Sequence, residues 1–209
     1  MDAYKKTKQN YEKGIKWHFE KSRSYDWSKQ RKIFAKYLSD GAKILDAGCG
    51  GSDNFSDFIK MGFEMTGLDY SKKTISEIRK KFPKSKLYCC DLRKIKMPDN
   101  YYDGIWACAS LINLRKIDIS KVLTKFRKIV RDEGIIFVSL KKGNGEKMVT
   151  DLFGERMFSF FSKKEFITMA EQIGFKIKSV EIVTDNKLTK QKKSTKAPDW
   201  ICLYLINKK

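Results

Sequence analysis

Apolar and polar positions alternate along this chain in two rhythms. Short runs rich in Ile, Leu, Val and aromatic residues read as strands: one ends at Asp46, and the others cover residues 64–68, 86–90, 102–108, 134–140, 176–183 and 200–206. Between them, apolar residues recur at helical spacing. Residues 53–61 carry Phe55, Phe58 and Ile59, and a helix capped by Ser71 carries Ile75, Ile78 and Phe82. A helix from about Ser120 carries Val122, Leu123, Phe126, Ile129 and Val130. Another opens on the capping box that runs from Ser162 to Glu165 and stops at Gly174. Ahead of the first strand, Tyr4, Tyr11, Ile15 and Phe19 suggest one amphipathic helix within residues 1–25. Residues 27–38 suggest a second, with Ile33, Phe34, Tyr37 and Leu38 inward and Asp40-Gly41 as its stop.

This alternation implies an α/β fold, a doubly wound and mostly parallel sheet with helices on both faces. Residues 141–161 show no further element and read as a long loop. No helical pattern separates strand 176–183 from strand 200–206, only a polar run, so the last strand should be antiparallel to its predecessor. The expectation is seven strands with one antiparallel.

Chemistry concentrates after the first strand. Residues 43–54 read Lys-Ile-Leu-Asp-Ala-Gly-Cys-Gly-Gly-Ser-Asp-Asn, a strand end, an acid, a glycine turn and a helix start. Such a turn brings backbone close to a ligand, because a Cβ would clash or forbid the angles. The Gly-Lys-Ser/Thr of a nucleoside-triphosphate loop is missing, and so is the third glycine of a dinucleotide fingerprint before Gly62. Two acids narrow the choice. Asp69 ends the next strand and suits a pair of ribose hydroxyls. Asp46, against the turn, repels phosphate and would pair with an ammonium. A ligand with a ribose, a positive centre and no phosphate fits both.

That pattern resembles the class I S-adenosylmethionine-dependent methyltransferases, whose first motif, Asp-x-Gly-x-Gly-x-Gly, matches Asp46-Ala47-Gly48-Cys49-Gly50-Gly51-Ser52. Ser52 departs from the third glycine, and Asp53 stands where many relatives carry Arg. The resemblance covers about residues 27–207 and implies a domain over 27–209, with residues 1–26 as a helical segment covering the cleft. It implies S-adenosyl-L-methionine as cofactor and S-adenosyl-L-homocysteine as product. Asp46 and the backbone of Gly48, Cys49 and Gly50 would hold the methionyl part, and the Ala107 carbonyl would touch it. Asp69 would hold the ribose, Tyr70 would pack on the adenine, and Asp91 with the Leu92 N–H would read the adenine edge.

Methyl transfer from a sulfonium asks for alignment more than for a catalytic group, so a conspicuous signature is not required. The loop after strand 102–108 lacks the Asn/Asp-Pro-Pro-Tyr/Phe signature of enzymes that methylate nucleobase amines. The string from Gly104 to Leu111 resembles the small-molecule branch, including tellurite-resistance-type and quinone-biosynthesis-type members. Acceptor contacts are expected from Tyr25, Ser110, Asn113, Arg156, Phe158 and Phe160, a set that suits a flat or anionic molecule. By the same resemblance Trp17, His18 and Trp27 face the cleft. His18, the single imidazole, is the candidate general base.

Composition adds limits. With 209 residues and 41% hydrophobic content, the chain suits one domain with a full core. No apolar run reaches membrane-spanning length, the Lys-rich start lacks a secretory apolar core, and a cytoplasmic location is expected. Five cysteines without a Cys-x-x-Cys pair, and one histidine, give no reason to expect a metal site. The net charge of +20 admits a nucleic-acid partner. The 37 Lys against 8 Arg, spread along the chain, look more like a lysine-coated surface. The sequence thus leaves open a small-molecule methyltransferase, a nucleic-acid methyltransferase and a non-catalytic cofactor-binding module. The residues 187–196 lie where an anionic substrate could be drawn in.

Overall fold

The computed structural model describes residues 3–51, 53–152, 154–188 and 198–209; Ser52 and most of the basic run 187–196 lie outside them. In chain order the elements are α1 (Ala3–Lys13), α2 (Ile15–Arg23), α3 (Ser28–Ala35), β1 (Lys43–Ala47), α4 (Asn54–Lys60), β2 (Glu64–Asp69), α5 (Lys72–Lys81) and β3 (Lys86–Cys89). There follow β4 (Tyr102–Cys108), α6 (Lys116–Ile129), β5 (Val130–Lys142), β6 (Glu146–Asp151), β7 (Gly154–Phe161), α7 (Lys163–Ile173), β8 (Phe175–Val183), α8 (Asp185–Leu188) and β9 (Trp200–Asn207).

The core sheet runs β3-β2-β1-β4-β5-β9-β8. Pairs from β3 to β5 are parallel, and β9 is antiparallel to both β5 and β8. Strands covered on both faces need apolar side chains on both, which is why β1, β4 and β5 read as continuous apolar runs. Ile44, Leu45, Ile105, Trp106, Ile136 and Phe137 are fully buried. Trp106 stacks on Phe137 at 4.0 Å and meets Phe34 and Phe58 edge-on. Through these rings α3 and α4 are fixed to one face of the sheet.

Local signals set several boundaries. Ser71 Oγ accepts from Thr74 N–H at 3.3 Å at the start of α5, and Ser162 Oγ accepts from Glu165 N–H at 3.1 Å at the start of α7. Gly174 closes α7 with φ +98, a conformation that disfavours residues with a Cβ.

The structure corrects the sequence reading in three places. The segment expected to be one helix within residues 1–25 is two, α1 and α2, divided at Gly14, the residue whose backbone freedom makes it a poor helix interior. Helix α6 begins at Lys116, four residues before Ser120. Its first turn exposes Ile117 and carries Asp118, which favours a helix start but breaks the apolar period. Residues 141–161 are not a loop. They contain the antiparallel hairpin β6–β7, joined to the end of β5 through the parallel pairs Lys141–Phe160 and Lys142–Phe161. The polar residues Arg156 and Ser159 on β7 are both buried, so the strand lacks the apolar-in, polar-out alternation that marks a half-solvated strand.

Candidate active site

Strand order reverses direction at β1 and β4, and the turns after these two strands face each other. Gly48 N–H donates to the Leu68 carbonyl at 2.7 Å, and Cys49 N–H donates to the same oxygen at 3.0 Å. Gly50 N–H donates to Asp69 Oδ2 at 3.1 Å. Three successive amides are therefore directed at the end of β2, where a phosphate cradle would need them turned outward. Phe19 of α2 lies against Gly51 so closely that a Cβ there would stand 2.2 Å from its ring, and Arg23 Nε donates to the Gly51 carbonyl at 3.1 Å. Helix α2 sits directly on the turn. The Cys49 side chain is buried, and burial raises its thiol pKa well above the usual value; only its backbone belongs to the turn surface.

Asp46 is 2% exposed, and its Oδ2 has no hydrogen-bond partner. Burial pushes its pKa up to about 8, with the Asp69 charge adding to the rise and Arg31 opposing it. Burial likewise raises Asp69 to about 6, against the N–H donors of Ser71 and Gly50. Two buried carboxylates behind one turn, one of them with an unpaired oxygen, favour a cation. S-adenosylmethionine carries an ammonium and a sulfonium, and its ribose offers hydroxyl donors, so the residues present fit it. Asp46 would hold the ammonium and Asp69 the ribose. The cofactor would supply an activated methyl group.

A cavity of about 90 Å³ lies beyond Asp69, walled by Tyr4, Tyr11, Tyr70, Leu92, Ser110 and Asn113 among others. On this side of the site the Asp91 carboxylate is already engaged. It pairs with Arg93, with Nη2 to Oδ2 at 2.7 Å and Nε to Oδ2 at 3.1 Å, and it also bonds the Tyr4 hydroxyl. Leu92 opens a short 3-10 turn at the cavity wall.

A second cavity of about 340 Å³ adjoins the first, and the two share Tyr11, Gly48, Ala109 and Asn113. Tyr25, Trp27, Phe158, Phe160 and Trp200 give it aromatic walls, and Lys21, Lys141 and Arg156 bring cations. His18 lines it too, stacked on Tyr11 at 4.4 Å and edge-on to Trp17. Asn113 Nδ2 donates to the Met157 carbonyl at 2.6 Å, which ties the turn after β4 to the hairpin. Ser110 Oγ is buried without a hydrogen-bond partner beside Gly48. Ala107 is fully buried within β4, and the wall is made by the next two residues, Cys108 and Ala109. Ala109 has φ +53, the left-handed conformation that costs a residue with a Cβ. Its N–H donates to Ser139 Oγ at 2.8 Å.

At the wall formed by Tyr25, Lys141 and Trp200, one carboxylate gathers three donors. Asp185 Oδ1 accepts from Lys141 Nζ at 2.9 Å, from Trp200 Nε1 at 2.9 Å and from the Tyr25 hydroxyl at 3.2 Å. Burial lowers the Lys141 pKa, and the Asp185 bond opposes that fall.

Residues 45–138 match the family model of the methyltransferase domain. That stretch runs from β1 into β5 and includes the turns after β1, β2, β3 and β4 that shape the site. It is similar to YqeM of Bacillus subtilis, assigned as a methyltransferase, with 27% identity over 104 residues that cover 47% of this chain and 42% of that one. The chain spans less than half the length of the curated relatives it matches. Two solved structures share the fold. One is the Burkholderia thailandensis 1,6-didemethyltoxoflavin-N1-methyltransferase with its acceptor and S-adenosylhomocysteine bound, at a TM-score of 0.75, 14% identity, and coverage of 97% of this chain and 85% of that one. The other is a TehB-like methyltransferase from Corynebacterium glutamicum, at a TM-score of 0.67, 18% identity, and coverage of 96% and 98%.

The sequence-derived candidates Tyr25, His18, Arg156, Phe158 and Phe160 meet in the larger cavity, and Asp69, Tyr70, Leu92 and Ser110 in the smaller. Sequence reasoning missed Lys141 and Trp200 as wall-forming residues, and Asp185 as the carboxylate that both of them bond. A lysine directly after the apolar run 135–140 was the one available signal. Among the described residues, no group of acidic, cysteine and histidine side chains could hold a metal, and no helix is long and apolar enough to cross a membrane.

Proposed function

We propose that this protein transfers the methyl group of S-adenosylmethionine to a nucleophile on a small, flat, anionic acceptor held in the larger cavity. The observation that carries this reading is the junction of the two cavities at Gly48 and Ala109. An acceptor beside that junction can approach the methyl along the line of the breaking sulfur–carbon bond, and alignment then supplies most of the rate. The volume of about 340 Å³ falls at the lower end of small-ligand sites, roughly 300–1,000 Å³. Aromatic walls favour a flat molecule. Lys21, Lys141 and Arg156 all line the cavity, and three cations on one set of walls favour a negatively charged acceptor. The Burkholderia structure, with 1,6-didemethyltoxoflavin bound, supports a small-molecule acceptor.

The test is to incubate the protein with methyl-labelled S-adenosylmethionine and a metabolite extract or total RNA. Label in a small acidic or aromatic product is expected. Label in RNA that is lost with an Arg156→Gln variant would replace this reading with a nucleic-acid acceptor, for which the charge of +20 is the motive. Cofactor binding with no label in either fraction would leave a cofactor-binding module.

A further inference from the structure

The smaller cavity, about 90 Å³, is well below the roughly 300–1,000 Å³ that small-ligand and cofactor sites offer. Two rings of α1 take up the difference. Tyr4 meets Tyr70 edge-on at 6.2 Å, and Tyr11 lies 5.6 Å from the same ring. The Arg93 guanidinium carbon is 3.6 Å from the centre of the Tyr4 ring. The Tyr4 hydroxyl bonds the Asp91 carboxylate. Tyr4 thus presents a flat ring between Tyr70 and Arg93, with a donor on its edge aimed at Asp91. An adenine with its exocyclic amine would present the same features in the same place.

Helix α1 is fastened elsewhere. Met157 N–H donates to Thr7 Oγ1 at 3.0 Å, and Asn10 Nδ2 donates to the Glu155 carbonyl at 2.9 Å. Lys6 also pairs with Glu155. These bonds bind α1 to β7, and β7 in turn pairs with the core sheet through two residue pairs only. Gly14 divides α1 from α2, which is anchored on the glycine turn by Phe19 and Arg23.

We propose that Tyr4 occupies the adenine position of the cofactor site, so that α1 and S-adenosylmethionine compete for one place and cofactor binding lifts α1 about Gly14. The inference rests on the placement of the adenosyl group at Asp69, Tyr70 and Asp91. Competition of this kind lowers apparent affinity by the fraction of molecules in which the site is open: with one in ten open, affinity falls about tenfold. Tyr11 belongs to both cavities, so lifting α1 also widens the acceptor cavity, and the acceptor then follows the cofactor.

The experiment titrates S-adenosylhomocysteine into the full chain and its variants by calorimetry. Tyr4→Ala should bind about tenfold more tightly than wild type, and Asp69→Ala should bind more weakly. Equal or weaker binding by Tyr4→Ala overturns the competition and makes Tyr4 part of the bound site. Wild-type binding by Asp69→Ala overturns the placement itself, and the inference with it. A second measurement needs no variant: amide hydrogen exchange over residues 4–13 should accelerate at saturating S-adenosylhomocysteine, and slower exchange there overturns the proposal.

Discussion

Gly48 faces Ser110 so closely that a β-carbon built on it would stand 2.3 Å from the Ser110 β-carbon. Its φ of +83 is a second reason for glycine. Gly48→Ala therefore meets both a clash and a strained backbone, together about 2 kcal/mol or more. We expect loss of S-adenosylhomocysteine binding and a lower denaturation midpoint. Adding Ser110→Gly should recover the steric part and leave the strain, so the double variant should fall between Gly48→Ala and wild type.

The unpaired Asp46 oxygen gives a signature in pH. The folded pKa of about 8 lies above the usual 3.8, so the folded protein holds a proton that the unfolded chain has released between those limits. Stability without added cofactor should fall as pH rises from about 4 to about 8, and level off above. Asp46→Asn should remove this part of the slope; Asp69 contributes its own part in both proteins, up to about 6. Melting temperatures measured across that range check it, and parallel curves for the two proteins would contradict it. Cofactor binding at pH 7 should also release a proton, seen as a buffer-dependent enthalpy that Asp46→Asn lacks.

Lys141 and Asp185 form a buried pair, with side chains 11% and 7% exposed. Lys141→Met leaves a carboxylate with only neutral donors, at a cost of about 3–5 kcal/mol. Lys141→Met together with Asp185→Leu should cost less than the two single changes added, because neither charge is then left alone. Urea denaturation of the three variants measures this coupling.

Arg156 tests the acceptor cavity apart from the cofactor. With any acceptor found by labelling, Arg156→Gln should raise KM about tenfold through the lost charge-assisted contact. S-adenosylhomocysteine affinity should stay within about twofold of wild type. Equal weakening of both ligands would place Arg156 on the cofactor side.

Much of this molecule was legible from local pattern. The strands β1 to β5 are apolar runs, and Ser71, Ser162 and Gly174 mark helix ends by their own chemistry. The antiparallel β9 followed from the absence of a long helical pattern before residue 200, where the described residues hold only the four-residue α8. The acid-and-glycine motif could be read because its residues are close in sequence. The pair Tyr25–Asp185 spans 160 positions and the bond from Asn113 to Met157 spans 44, so neither leaves a local trace. The β6–β7 hairpin escaped because Arg156 and Ser159, polar by type, are buried on β7. The position of Tyr4 against Asp91 depends on how α1 docks, which its own weak amphipathic pattern does not specify.

Strand β9 lies between β5 and β8 and pairs with β5 from Ile135 to Lys141. Five of those seven partners on β5 are apolar, and their backbone groups on that edge are paired by residues 200–206. On the ribosome, the nascent protein therefore shows a bare, sticky strand edge for the roughly sixty residues of synthesis that separate β5 from β9. Shelter of that edge by chaperones during the interval should raise the yield of native protein.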